Sequence, residues 1–134
     1  MTRISVDTNI LVSIFVYPGT TVIKILDMAI EKRLLLGISD EILREFTGVC
    51  VRKFDYDPED AVDMADKIRQ LSVTVRPRER IGVIKDEPDN RVLECASEFK
   101  ASFIISGDKH LLALKKFRGI QILSPAEFIR KYPG

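Results

Sequence analysis

Asp7 and Asn9 interrupt the apolar stretch "ISVDTNILVSI". A carboxylate avoids such surroundings unless something compensates its charge. Further acids sit in comparable places: Glu45 in "SDEILREF", Asp86, Glu87 and Asp89 in "KDEPDNRVLECA", and Asp108 in "IISGDKHLL", where Ser106 adds a hydroxyl. Carboxylates gathered in one place repel, and neutralising them takes protons, basic side chains or a divalent cation. An oxygen-rich set suits Mg2+ or Mn2+. Two such ions held ~3.5–4 Å apart would clamp the attacking and leaving oxygens of a phosphodiester. The one histidine, His110, argues against a His-rich zinc site.

Such chemistry needs elements that bring these residues together. A chain of 134 residues suits one domain, spanning residues 1–134, with a useful core. The net charge of +1 gives no global field toward nucleic acid or membrane, so any phosphate-binding surface is local. No apolar run reaches the ~18 residues of a membrane span, and no basic-then-apolar leader opens the chain. Two cysteines, Cys50 and Cys95, cannot make a disulfide framework, and a cytoplasmic chain with reduced thiols is expected.

Short apolar runs alternate with helical periodicity. Arg3 to Val6, "LLLGIS", "SVTVRP", "SFIIS" and "IQIL" read as strands, and Arg80 to Lys85 as a short strand or extended connection. Helical stripes fall between them: Val22, Ile25, Leu26 and Ala29; Ile42, Leu43, Phe46, Val49 and Cys50; Ala61, Met64, Ala65, Ile68 and Leu71; Val92, Leu93, Ala96 and Phe99. Ser39 or Asp40, Asp57-Pro58, Pro88, Asp108 or Lys109, and the capping box "SPAE" mark helix starts. The rhythm predicts an α/β fold, a parallel sheet with helices on both faces.

In such a sheet, ligands bind beyond the strands' carboxyl ends. Asp7 follows the first strand and Asp108 follows "SFIIS", while Asp86, Glu87 and Asp89 lead into a helix. Glu45 falls at the edge of its helix's buried face, pointing either into a crevice or into water. Each acid also has an ordinary reading. Asp7, Asn9 and Asp108 suit helix capping, and Asp89 suits a helix's first turn. With 20 acids in the chain, the signal is their joint placement at the ends of separate strands.

The four motifs, in this order, resemble those of the PIN-domain family, the metal-dependent ribonuclease fold of toxin–antitoxin toxins and RNA-processing nucleases. The resemblance implies a three-layer α/β/α sandwich around a parallel sheet of four or five strands. It implies that Asp7, Glu45, Asp89 and Asp108 hold one or two Mg2+ or Mn2+ ions, with Asp86 in reserve for Asp89, and that Asn9 and Ser106 orient these ligands. A metal-bound water would attack an RNA phosphodiester. Dimers or higher homo-oligomers and a separately encoded antitoxin are implied as well. His110 reads as a surface residue.

RNA needs basic walls around an acidic site. The candidates are Arg44, Arg91, Lys109, Lys115 and Lys116, with Arg3, Arg52, Lys53 and Arg118 behind them. The run Lys115 to Arg118 is the densest and also suits a solvated helix end. A phosphatase that needs a second Asp two residues after the first is disfavoured by Asn9. A PIN-like module that binds without cleaving is the other alternative.

Overall fold

The computed structural model describes residues 1–132. Along the chain run β1 (Thr2–Val6), α1 (Thr8–Phe15), α2 (Thr20–Ile30), β2 (Leu34–Ser39), α3 (Asp40–Phe54), α4 (Pro58–Leu71), β3 (Val73–Val75), α5 (Glu87–Phe99), β4 (Phe103–Ile105), α6 (Lys109–Leu114), β5 (Lys116–Phe117), β6 (Ile120–Leu123) and α7 (Pro125–Lys131). The strands form one sheet in the order β3-β2-β1-β4-β6-β5. Five of them are parallel, with Ile4 beside both Leu36 and Phe103. The expected α/β architecture is therefore present.

The sixth strand departs from the expected four or five. β5 pairs antiparallel with β6 across a two-residue loop, Arg118-Gly119. Both loop residues have positive φ, 51° and 82°, the primed-turn backbone that matches the twist of a hairpin. Glu79 holds the Arg118 guanidinium through two 2.7 Å bonds, and that guanidinium lies 5.0 Å from the Phe117 ring centre. Lys115 thus ends α6, as the helix-end reading has it, while Lys116 to Arg118 form a hairpin arm and its turn.

Strand alternation assigns the two faces. Ile4, Val6 and Leu36 face α1 and α2, against Ile14, Phe15, Ile25, Leu26 and Ala29. Ser5 and Gly37 face α5, where Ser5 Oγ lies 3.9 Å from Cys95 Sγ. A Cβ on Gly37 would enter the Phe99 ring at under 3 Å, so a residue without a side chain is what lets α5 approach β2. α7 packs beside α2, with Phe128 edge-on to Phe103 and stacked on Tyr132.

The expected caps are in place. Ser39 Oγ accepts the Ile42 amide at 3.3 Å to start α3, and Ser124 with Glu127 closes a capping box on α7. Residues 76–86 form no strand. Their extended backbone bonds instead to buried polar side chains of α5. Glu94 accepts the Ile81 amide at 2.7 Å, and Arg91 donates to the Ile81 carbonyl at 2.9 Å. Asn90 accepts from and donates to the backbone of Ile84. These bonds satisfy groups a ladder would otherwise pair. Among the described residues, no single helix is long and apolar enough to cross a membrane.

Candidate metal centre

The chain steps from β1 outward to β2 and β3, then returns to lay β4 on the other side of β1. Strand order therefore reverses between β1 and β4, the position where open parallel sheets form a crevice at their carboxyl ends. Asp7 follows β1 here, and Ser106 and Asp108 follow β4. A cleft of about 220 Å³ opens at this point, lined by Asp7, Thr8, Asn9, Glu45, Val49, Lys53, Asp86, Pro88, Asp89, Val92 and Asp108. All four expected acids and the reserve acid Asp86 line this one cleft. Among the described residues, the group whose donor atoms fall within 4.8 Å of one another is Asp89, Asp108 and His110.

Each acid is held differently. Asp7 is buried and caps α1, its Oδ1 accepting the Ile10 amide at 2.9 Å. Its Oδ2 accepts the Ser106 hydroxyl. Burial raises the Asp7 pKa; the bonds from Ser106 and Ile10 only partly offset this, and Asp108 adds repulsion. Ser106, fully buried, also accepts the Asp108 amide at 2.9 Å, so one hydroxyl fixes both acids. Asp108 caps α6, accepting the amides of His110 at 2.8 Å and Leu111 at 3.1 Å.

Asp89 is the most perturbed. It lies in the first turn of α5 with 7% of its surface exposed, and its Oδ2 is buried without a hydrogen-bond partner. Burial first, then the charges of Asp108, Asp86 and Asp7, push its pKa up to about 7. A buried carboxylate with an orphaned oxygen, under the charges of three other acids, belongs to a donor set that fits a divalent cation. Glu45 is half-buried on the α3 wall, the crevice-facing alternative of its two readings. Asn9 is exposed on the rim.

The basic candidates separate. Arg44 lines an adjoining cleft of about 320 Å³ that shares Thr8, Glu45 and Pro88 with the first, so the two form one groove. Arg91 also lines it, but its guanidinium is bound to Glu94 at 2.9 Å, to Glu87 at 3.1 Å and to the Ile81 carbonyl. Lys109 is exposed at the start of α6, and Lys115 and Lys116 belong to the hairpin region, outside both cleft linings. Lys53 stands in the acidic cleft itself. Its place on α3 two turns beyond Glu45 was the available signal, as i, i+4, i+8 positions share a face. His110, expected at the surface, is exposed yet brings a ring nitrogen within 4.8 Å of Asp89 and Asp108 oxygens.

The sequence profile of the PIN domain matches residues 3–110. The chain belongs to the PIN-domain family. This PIN domain is 30% identical to the uncharacterized protein MJ1680 of Methanocaldococcus jannaschii, over 97% of its own length and 91% of that protein's. Its fold is similar to a chain in the crystal structure of VapBC2 from Rickettsia felis bound to a DNA fragment from their promoter. The TM-score is 0.67 at 16% identity, covering 90% of this PIN domain and 97% of that chain.

Proposed function

We propose that this protein is a Mg2+- or Mn2+-dependent ribonuclease, the cytoplasmic toxin of a toxin–antitoxin pair, working as one domain. One observation carries the reading. Asp7, Glu45, Asp89 and Asp108 share a cleft at the sheet's switch point, and Asp89 buries an oxygen that no protein group satisfies. The family and the fold agree with it.

The residues take these roles. Asp7, Glu45, Asp89 and Asp108 hold the ion, and Asp86 lines the cleft as a further carboxylate. Bound there, the ion would supply Lewis acidity and lower the pKa of a water toward neutrality. Ser106 holds Asp7 and the start of α6 in one geometry, as outer hydrogen bonds orient metal ligands. Asn9 contacts ligands from the rim. Lys53 and Arg44 meet the backbone phosphates along the groove, and Arg91 braces residues 76–86. Lys109, Lys115 and Lys116 extend the basic surface only for a longer RNA. A separate antitoxin would block the groove, and the toxin would act as a homodimer or higher homo-oligomer.

The test is cleavage of mixed RNA with Mg2+, Mn2+ or EDTA, by the wild type, Asp7→Asn and Asp89→Asn. Metal-dependent cleavage lost in both variants supports the reading. Cleavage that survives EDTA, or persists in both variants, sinks it. Metal binding without cleavage turns the assignment to a PIN-fold binding module.

A further inference from the structure

We propose that His110 supplies an imidazole nitrogen to this metal centre, so that the donor set is mixed nitrogen and oxygen rather than carboxylate alone. The inference rests on the metal-dependent reading above and specifies which ions the site prefers.

His110 is the chain's one histidine and the second residue of α6. Asp108 caps that helix partly through the His110 amide, which sets the imidazole beside the capping carboxylate. Nδ1 lies 3.7 Å from Asp108 Oδ1. One ring nitrogen, one Asp108 oxygen and one Asp89 oxygen all fall within 4.8 Å of each other. A separation of 3.7 Å is too long for a hydrogen bond, and a charge-assisted pair would close to roughly 2.8 Å. Two donors on one octahedral ion with ~2.1 Å bonds stand ~3.0 Å apart when adjacent and ~4.2 Å when opposite. The 3.7 Å separation lies between these two values, so a small rotation of the exposed imidazole brings it to ligand spacing with Asp108 around one ion. The second, independent sign is the buried Asp89 Oδ2, which lacks any partner. The His110 side chain is 60% exposed, so the imidazole is free to turn onto an ion held at Asp108.

The chemistry follows from the donor. Imidazole adds more to first-row transition ions than to Mg2+, which prefers oxygen and gives up its waters reluctantly. Affinity on a given nitrogen–oxygen site rises from Mn2+ to Co2+. His110 therefore strengthens Mn2+ and Co2+ binding and leaves Mg2+ almost unchanged.

Calorimetric titration of the metal-free full chain with Mg2+, Mn2+ and Co2+ tests this, comparing wild type, His110→Ala and Asp89→Asn. His110→Ala is expected to weaken Mn2+ and Co2+ by about tenfold, the scale of a lost ligand contact. Mg2+ affinity should move by less than about threefold, while Asp89→Asn weakens all three ions. Pulsed EPR of the Mn2+ form should show nitrogen-14 modulation that disappears in His110→Ala. If Mn2+ binds the wild type without that modulation and His110→Ala keeps every affinity, the nitrogen ligand is refuted and the carboxylate site stands. Equal weakening of Mg2+, Mn2+ and Co2+ in His110→Ala also refutes it, because that is a general electrostatic effect. If no ion binds the wild type, this inference and the metal-dependent reading fall together.

Discussion

Replacing Asp89 by asparagine should stabilise the metal-free protein above neutral pH. Asp89 ionises near 3.8 when unperturbed and near 7 in the fold. Its folded form therefore prefers the proton. The stability tied to that proton is complete below pH 3.8, declines between pH 3.8 and 7, and is gone above 7. The interval corresponds to about 4 kcal/mol of strain at pH 8. The cleft is open and Asp108 and Asp86 are partly hydrated, so screening reduces this to about 2 kcal/mol. Asparagine keeps the shape, carries no charge and brings an amide that can donate to Asp108. For a chain of this size, 2 kcal/mol raises the melting temperature by about 7 °C.

The assay is a set of thermal melts in EDTA from pH 4 to 9, on wild type and Asp89→Asn. The difference between the two should widen from pH 4 to 7 and then level off. Adding Mn2+ at pH 8 should raise the wild-type melt and move the variant far less, because ligand binding stabilises only the state that binds. A difference that is flat across pH 4 to 7, or a variant less stable than wild type at pH 8, would refute the claim that Asp89 is a buried acid under charge repulsion.

Ser106→Ala should cost about 1–3 kcal/mol in denaturant melts, since it leaves a buried Asp7 oxygen without its donor, whereas Ser106→Thr should recover most of it. Gly37→Ala should destabilise by about 1–3 kcal/mol, because the new methyl collides with the Phe99 ring and levers α5, with Asp89, off the sheet. Apparent Mn2+ affinity should rise with pH from 5 to 8 in calorimetry, with proton release, because the ion must displace the proton that Asp89 holds. Glu94→Gln should cost about 1–3 kcal/mol in urea unfolding, because it removes the buried charge 2.9 Å from Arg91 while Glu87 and the Ile81 carbonyl still hold the guanidinium.

The strand and helix rhythm was legible because periodicity reports burial directly: the continuous apolar runs became β1, β2, β4 and β6. The acids were legible for a related reason. Asp7 and Asp108 stand one to three residues after such runs, and a parallel sheet collects those positions at one end. Three features escaped. The β5–β6 hairpin uses Arg118 at a positive-φ position where Asn or Asp is the usual signal, and Glu79, 39 residues away, is what steadies it. The second is the nearness of the His110 ring to Asp89, which lies on another helix and which no local spacing reports. The third is the polar stripe Asn90, Arg91 and Glu94, which any pattern rule assigns to solvent. It is buried because residues 76–86 run along it and need its hydrogen bonds.

That third feature links the architecture to the site. α5 is the helix that carries Asp89 into the cleft. On one side Gly37 and Ser5 let it lie close to the sheet. On the other, Asn90, Arg91 and Glu94 fasten the extended segment that ends at Asp86. Asp89 is thus fixed from both sides, and it cannot swing away to relieve repulsion from Asp7 and Asp108. Held so, an acid can keep a proton, which Asp89 does up to about pH 7, meet a basic side chain such as Lys53 of the same cleft, or share a cation. A fold built only for stability would have replaced Asp89 with an apolar or amide side chain. Four acids in one cleft with Asp89 clamped, at a cost to the metal-free state, agree with the metal-dependent site proposed above.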